Sequence, residues 1–247
     1  MSCSLVFSFP FLTCDPPGRF WTQLPTKADF QTIYYDTLAA SIASNSRAEL
    51  GKDLPNDRTE IIGNKTEGAM LIFLRKLGVD YRELRNSLDK VKTFPFSSAK
   101  KRMSTLVRSS GNEGHLYTKG ASEIIAEMCN SYLANDGTTQ TIDAQMRGEI
   151  TAQITAMASA GLRTISIAYC PVSNLDATMA LEDAPAQDMA MIFIGLVGIR
   201  DPPRKVSHLV YMFFSDVFSL QFISRFDFRG LCFHFAAGPF ESDDARG

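Results

Sequence analysis

A chain of 247 residues, 45% hydrophobic and 21% charged, has the composition of a globular protein that buries a core, which excludes a wholly disordered or low-complexity polypeptide. A formal net charge of -2 excludes a broadly cationic surface, so a site for an anionic ligand has to be local and no nucleic-acid partner is expected. Five cysteines (Cys3, Cys14, Cys129, Cys170, Cys232) without Cys-x-x-Cys spacing and three scattered histidines predict reduced thiols in a cytosolic setting, with no disulfide frame and no metal site.

In chain order, residues 1–22 carry Phe7, Phe9, Pro10, Phe11, Pro16 and Pro17 without a period and read as an irregular arm. They lack the basic start and the small-residue cleavage site of a signal peptide. From Ala28 to Asn45, Ile33 or Tyr34, Leu38 and Ile42 recur at helical spacing. Arg47 to Glu60 reads as a polar loop around Pro55 and Asn56. Asn64 followed three residues later by Glu67 has the form of a capping box; Ala69, Ile72, Phe73 and Leu77 continue as an apolar stripe that Gly78 stops. A short helix is expected over Tyr81 to Ser87, and a strand over Val91 to Phe96, where Pro95 suits an edge or a bulge.

Met103 to Arg108 alternates as a strand, Gly111, Asn112 and Gly114 make a turn, and His115 to Lys119 returns. A helix opens at Ser122 and Glu123 and is read through to Leu133, where Asn135, Asp136 and Gly137 end it. A second helix, Asp143 to Ser159, has the stripe Met146, Ile150, Ile154 and Met157, and Gly161 closes it. Leu162 to Tyr169 is a strand with Arg163 at its mouth, and Pro171 to Asp188 is an acidic connection expected to be mobile. Met189 to Ile199, almost unbroken in its hydrophobicity, is expected to be the innermost strand. Strands flanked by pairs of helices predict an α+β fold, an antiparallel sheet covered by helices on its faces. No segment reaches the roughly 18 uninterrupted apolar residues of a membrane helix.

The hairpin region gathers an aromatic ring, the cations Lys100, Lys101 and Arg102, and a lysine, Lys119, ahead of a glycine. A flat face for a base with separated positive charge for phosphates suits a nucleotide. Five short stretches lie there and around it: Gly63-Asn64-Lys65-Thr66-Glu67; Phe96-Ser97 with Lys101-Arg102-Met103-Ser104; Lys119-Gly120-Ala121-Ser122-Glu123; Gly161-Leu162-Arg163-Thr164-Ile165; and Val197-Gly198-Ile199-Arg200-Asp201-Pro202-Pro203-Arg204. In that order they resemble the nucleotide-binding (N) domain of P-type cation-transporting ATPases, most of all calcium pumps of the plasma-membrane type.

The resemblance implies ATP as ligand, with Mg2+ accompanying it and held mainly by parts of the pump not in this chain. It implies that Phe96 stacks on adenine and that Thr66 and Glu67 contact the base, the carboxylate accepting from the adenine amino group. Lys119 sits in the adenine pocket lined by Gly120 and Ala121; Lys101 and Arg163 reach the phosphates; Ile165 touches the ring region. Phe94, on the same strand as Phe96, is assigned to packing on the same face. Asp201, Pro202 and Arg204 correspond to the hinge toward a phosphorylation domain.

No catalytic residue is expected, because the phosphorylated Asp-Lys-Thr-Gly-Thr motif, the Thr-Gly-Glu loop and the Gly-Asp-Gly metal motif do not occur. The expected organisation is an arm (1–22), an ATP-binding domain (23–205) and a tail (206–247) that holds half of the eighteen phenylalanines and does not resemble the family, as a truncated or misassembled gene would give. The remaining pump domains are the implied partners, on the cytosolic side of a membrane. The other reading is a stand-alone nucleotide-binding or regulatory module, soluble in the cytosol, without transport activity.

Overall fold

The fold is built around a strand that alternation could not have shown, because both of its faces are covered. In the computed structural model, β10 (Met191–Arg200) is buried at every residue from Met191 to Ile199. The structure describes residues 4–8 (backbone only), 26–55, 58–181 and 190–200. The proposed hinge residues Asp201, Pro202 and Arg204, the tail 206–247 and residues 182–188 of the 171–188 connection lie outside them.

Beside β10 run β9 (Arg163–Val172), β6 (Glu113–Ala121), β5 (Arg102–Ser110) and the edge strand β4 (Asp89–Ser97), all antiparallel to their neighbours. On its other side β10 is shared between two partners. Its beginning pairs in parallel with β7 (Cys129–Leu133), which carries the short β8 (Thr139–Thr141), and its end pairs antiparallel with β1 (Ser4–Ser8). The sheet is therefore mostly antiparallel, with one parallel pair.

Three of these findings correct the sequence reading. Residues 1–22 are not irregular throughout, since Ser4–Ser8 adds a strand to the sheet. The segment 47–60 is not a loop: β2 (Glu49–Leu54) and β3 (Arg58–Ile62) form a separate antiparallel hairpin. The helix after Ser122 is only α4 (Ser122–Met128), and Cys129 turns the chain directly into β7.

Helices cover both faces, as the period-two alternation of β9 requires. Ile167 and Tyr169 face α1 (Thr32–Ser44) and α2 (Lys65–Lys76), where Tyr34, Leu38, Phe73 and Leu74 fill the core. Ala168 and Cys170 face the opposite layer, where Ile150, Ile154 and Met157 of α5 (Ala144–Ser159) pack with Ile125 of α4. Burying each of these large side chains contributes roughly 1.5–3 kcal/mol. The short α3 (Tyr81–Ser87) follows Gly78, whose φ of 82° is the left-handed turn a helix stop needs. α6 (Leu175–Ala180), capped by Asn174, occupies the start of the 171–188 connection.

Candidate functional site

The candidate residues collect at one end of the sheet, where β4 and β6 finish, β5 and β9 begin, and α2 starts. Alternation decides which face each takes. Phe94 lies opposite Ser104 and Ser97 opposite Arg102, so Pro95 and Phe96 together oppose the single Met103. This bulge shifts the alternation by one residue. Phe94 is buried with Leu106 and Leu116, whereas Phe96 moves to the face of Met103 and is 60% exposed. The expectation that the two phenylalanines share a face is therefore corrected.

Met103 pairs with Lys119, and Lys119 with Ile167; Ala121 pairs with Ile165. Lys119, Ala121 and Ile165 thus share the face that carries Phe96. Lys101 occupies the β4–β5 turn at φ 50°, its carbonyl accepting from Ala121 N–H at 3.0 Å, and its side chain is exposed. Gly120 points to the opposite face. A Cβ there would lie 2.5 Å from the Lys101 carbonyl oxygen and 2.8 Å from Arg102 Cβ, so this glycine admits the neighbouring turn rather than clearing room for a ligand.

From α2, Asn64 caps the helix by accepting from the N–H groups of Thr66 and Glu67. Glu67 does not complete the capping box. Its Oε1 accepts from Lys119 Nζ at 2.7 Å, and its Oε2 accepts from the backbone N–H groups of Arg47 at 2.8 Å and Ala48 at 3.1 Å. Lys119 Nζ also donates to the carbonyl of Asn45, the residue that ends α1. A cation at a helix C-terminus and an anion on adjacent backbone N–H groups are both favourable placements. Arg163 stands at the rim, its Nη1 3.5 Å from Thr66 Oγ1. Glu67, Lys119, Thr66 and Arg163 thus form one connected group, with Ile165 and Ala121 beside it, Phe96 on the edge strand β4 and Lys101 in the β4–β5 turn.

A family model for the P-type ATPase cytoplasmic domain N matches residues 34–206. The chain belongs to the P-type ATPase N-domain family. Over 167 residues it is 41% identical to the calcium-transporting ATPase PAT1 of Dictyostelium discoideum, covering 68% of this chain and 14% of that protein. It is 33% identical over 195 residues to plasma membrane calcium-transporting ATPase 4 of Homo sapiens, covering 76% and 16% of the two chains. It is 32% identical over 178 residues to calcium-transporting ATPase 5, plasma membrane-type, of Oryza sativa subsp. japonica, covering 68% and 16%. The chain spans 14–16% of the length of these relatives.

The electrostatics of this N domain centre on the Glu67–Lys119 pair, whose side chains are 9% and 12% exposed. Burial works to raise the Glu67 pKa, but the Lys119 ammonium and the hydrogen bonds from Lys119, Arg47 and Ala48 outweigh it and hold the carboxyl below its ordinary range. Burial depresses the Lys119 pKa, and the Glu67 carboxylate offsets that only in part. The asymmetry follows from the partners: the carboxylate has two backbone donors besides the ammonium, whereas the ammonium has one carbonyl besides the carboxylate.

The loop from Asn45 to Ala48 escaped the sequence reading. Its contribution to Lys119 and Glu67 is made by main-chain carbonyl and N–H groups, which leave no mark in residue type. Only Asn45 has a legible feature, a polar side chain at a helix end. It is 1% exposed, accepts from Thr105 Oγ1 at 3.0 Å and donates to the Met103 carbonyl at 3.2 Å. Among the described residues no group of three or more acidic, histidine or cysteine side chains is placed to hold a metal, and no helix is long and apolar enough to cross a membrane.

Proposed function

We propose that this chain is the ATP-holding part of a calcium-transporting P-type pump. It seats the adenosine so that the γ-phosphoryl group is presented to an acceptor aspartate carried by another part of the pump. The observation that supports this reading most is the bulge at Pro95 and Phe96, which sets an exposed ring on the face that carries Lys119, two strands away on β6.

In this reading the Phe96 ring stacks on adenine, a contact of about 1–3 kcal/mol per base. Glu67 has one acceptor position beyond its three hydrogen bonds, which suits the exocyclic amino group, and Thr66 lies beside it. Lys119 retains one N–H beyond its two partners for the nucleotide. Ala121 and Ile165 supply apolar contact, and Lys101 with Arg163, at the rim, meets the phosphates, the guanidinium fork matching phosphate oxygens. Mg2+ bound to the triphosphate neutralises charge there and is held mainly by groups outside this chain. The hinge at Asp201, Pro202 and Arg204 leads toward the acceptor, on the cytosolic side of the membrane.

Titration of the full chain with ATP, followed by amide NMR or calorimetry, tests the reading. Affinity is expected near millimolar, roughly 4–6 kcal/mol, and almost independent of Mg2+. Phe96→Ala removes an exposed ring at little cost to folding and is expected to weaken ATP about tenfold. Lys119→Met is expected to weaken it several-fold. Unchanged affinity in both variants would overturn the assignment.

A further inference from the structure

Arg85, on α3, reaches the candidate site only through the backbone. Its Nε donates to the carbonyl of Ala43 at 3.1 Å, its Nη2 donates to the carbonyl of Ala48 at 3.2 Å, and its Nη1 pairs with Glu49. The side chain is 16% exposed, and the guanidinium lies 5.0 Å from the centroid of the Tyr81 ring, which limits its freedom further. Ala43 and Ala48 bracket the loop described above. Between them lie the Asn45 carbonyl that accepts from Lys119 and the Arg47 and Ala48 N–H groups that donate to Glu67.

One planar fork thus fixes both ends of the segment that holds the cation from one side and the carboxylate from the other. A guanidinium has five donors in a rigid plane and can span two carbonyls and a carboxylate at once; an ammonium is a point donor and cannot.

We propose that Arg85 is a positioning residue for nucleotide binding, setting the Lys119–Glu67 pair through the 43–48 loop without touching the ligand. The inference rests on the reading of this end of the sheet as the ATP site. It makes a residue of α3, outside every stretch assigned to the nucleotide, a determinant of affinity. A loop fixed before the ligand arrives spares the ligand the cost of ordering it. The cations also sense one another. Burial is the main cause of the depressed Lys119 pKa and Glu67 opposes it, while the Arg85 charge adds to the depression.

The test titrates ATP into the full chain and into Phe96→Ala, Arg85→Lys, Lys119→Met and the double variant Arg85→Lys/Lys119→Met. Thermal midpoints and the amide proton shifts of Arg47 and Ala48 are recorded without nucleotide. Arg85→Lys is expected to weaken ATP about fivefold and to move both amide protons upfield, as longer hydrogen bonds to Glu67 require. In the Lys119→Met background the same substitution is expected to cost clearly less affinity than in the parent chain, because only the Glu67 half of its route to the ligand remains.

A lowered thermal midpoint with unchanged affinity and unchanged amide shifts would make Arg85 purely structural and overturn the proposal. So would an equal loss in both backgrounds. Should Arg85→Lys not fold, Glu49→Gln decides. It loosens Arg85 while leaving the loop carbonyls in place, and is expected to weaken ATP about twofold; no change overturns the proposal. A parent chain that binds no ATP overturns the site reading and this inference with it. Binding that Phe96→Ala weakens and Arg85→Lys leaves alone overturns this inference only.

Discussion

Glu67 and Lys119 are each about nine-tenths withdrawn from water, and a pair in that position is costly to half-remove. Desolvation of both charges is offset only while each keeps its partner, so deleting one typically costs about 3–5 kcal/mol. Glu67→Gln is therefore expected to destabilise the fold by roughly 3 kcal/mol at neutral pH, read by urea unfolding. The pH profile separates this pair from ordinary surface charges. The Glu67 pKa is depressed in the fold, so its contribution is complete above the unfolded carboxyl value of about 4.3 and is lost as pH falls through the folded value. The parent chain is expected to lose stability steeply below about pH 4.3 and the Glu67→Gln variant less steeply; parallel acid limbs would show that the carboxylate contributes nothing. At this scale the sequence displayed Glu67, Lys119 and Phe96 through family motifs, but not how they are held. Glu67 read as half of a capping box because a helix-capping acid and an acid that turns away to a lysine and a distant backbone share the same spacing, and only the third dimension separates them.

At the scale of the element, two glycines in helices make opposite predictions. Glycine inside a helix usually costs about 1 kcal/mol against alanine. Gly148, on the exposed face of α5, has nothing within 4 Å of a built Cβ, so Gly148→Ala is expected to stabilise by about that amount. Gly68, in the second turn of α2, would place a Cβ 2.1 Å from Ile61 Cγ2 of β3. Overpacking of this kind costs about 1–3 kcal/mol and exceeds the propensity gain, so Gly68→Ala is expected to destabilise and to displace Glu67 from Lys119. Thermal melts of both variants check the pair, and a stabilised Gly68→Ala would mean that β3 yields freely. Helices with a one-sided apolar stripe and a glycine stop were legible, as α2 and α5 show. β7 was not: Cys129, Asn130, Ser131, Tyr132 and Leu133 lack β-branched residues and alternation, and the preceding helix continued into them by composition alone. The β2–β3 hairpin was hidden by its charged residues, since it pairs outside the main sheet.

Across the whole molecule, β10 is the common neighbour of β9, β7 and β1, so what closes its second side bears on the stability of everything packed on it. Its hydrophobic run announced a central strand, but nothing in residues 1–22 announced that the chain start would return to pair with it. Register between distant segments is set by the closed sheet and has no local signature. Removal of residues 1–8 would leave the backbone of Leu196 to Arg200 unpaired on that side. A lower thermal midpoint and concentration-dependent light scattering are expected; an unchanged midpoint would show that the added strand is dispensable. At the opposite border of the sheet the molecule has solved a different problem. A strand that displays a bare aromatic ring to water invites another molecule to extend the hydrogen-bonded ladder and grow a fibre. On β4 the bulge and the missing N–H of Pro95 interrupt that ladder beside the ring itself. The ring therefore stays open to a small flat ligand while its strand makes a poor template for another protein chain.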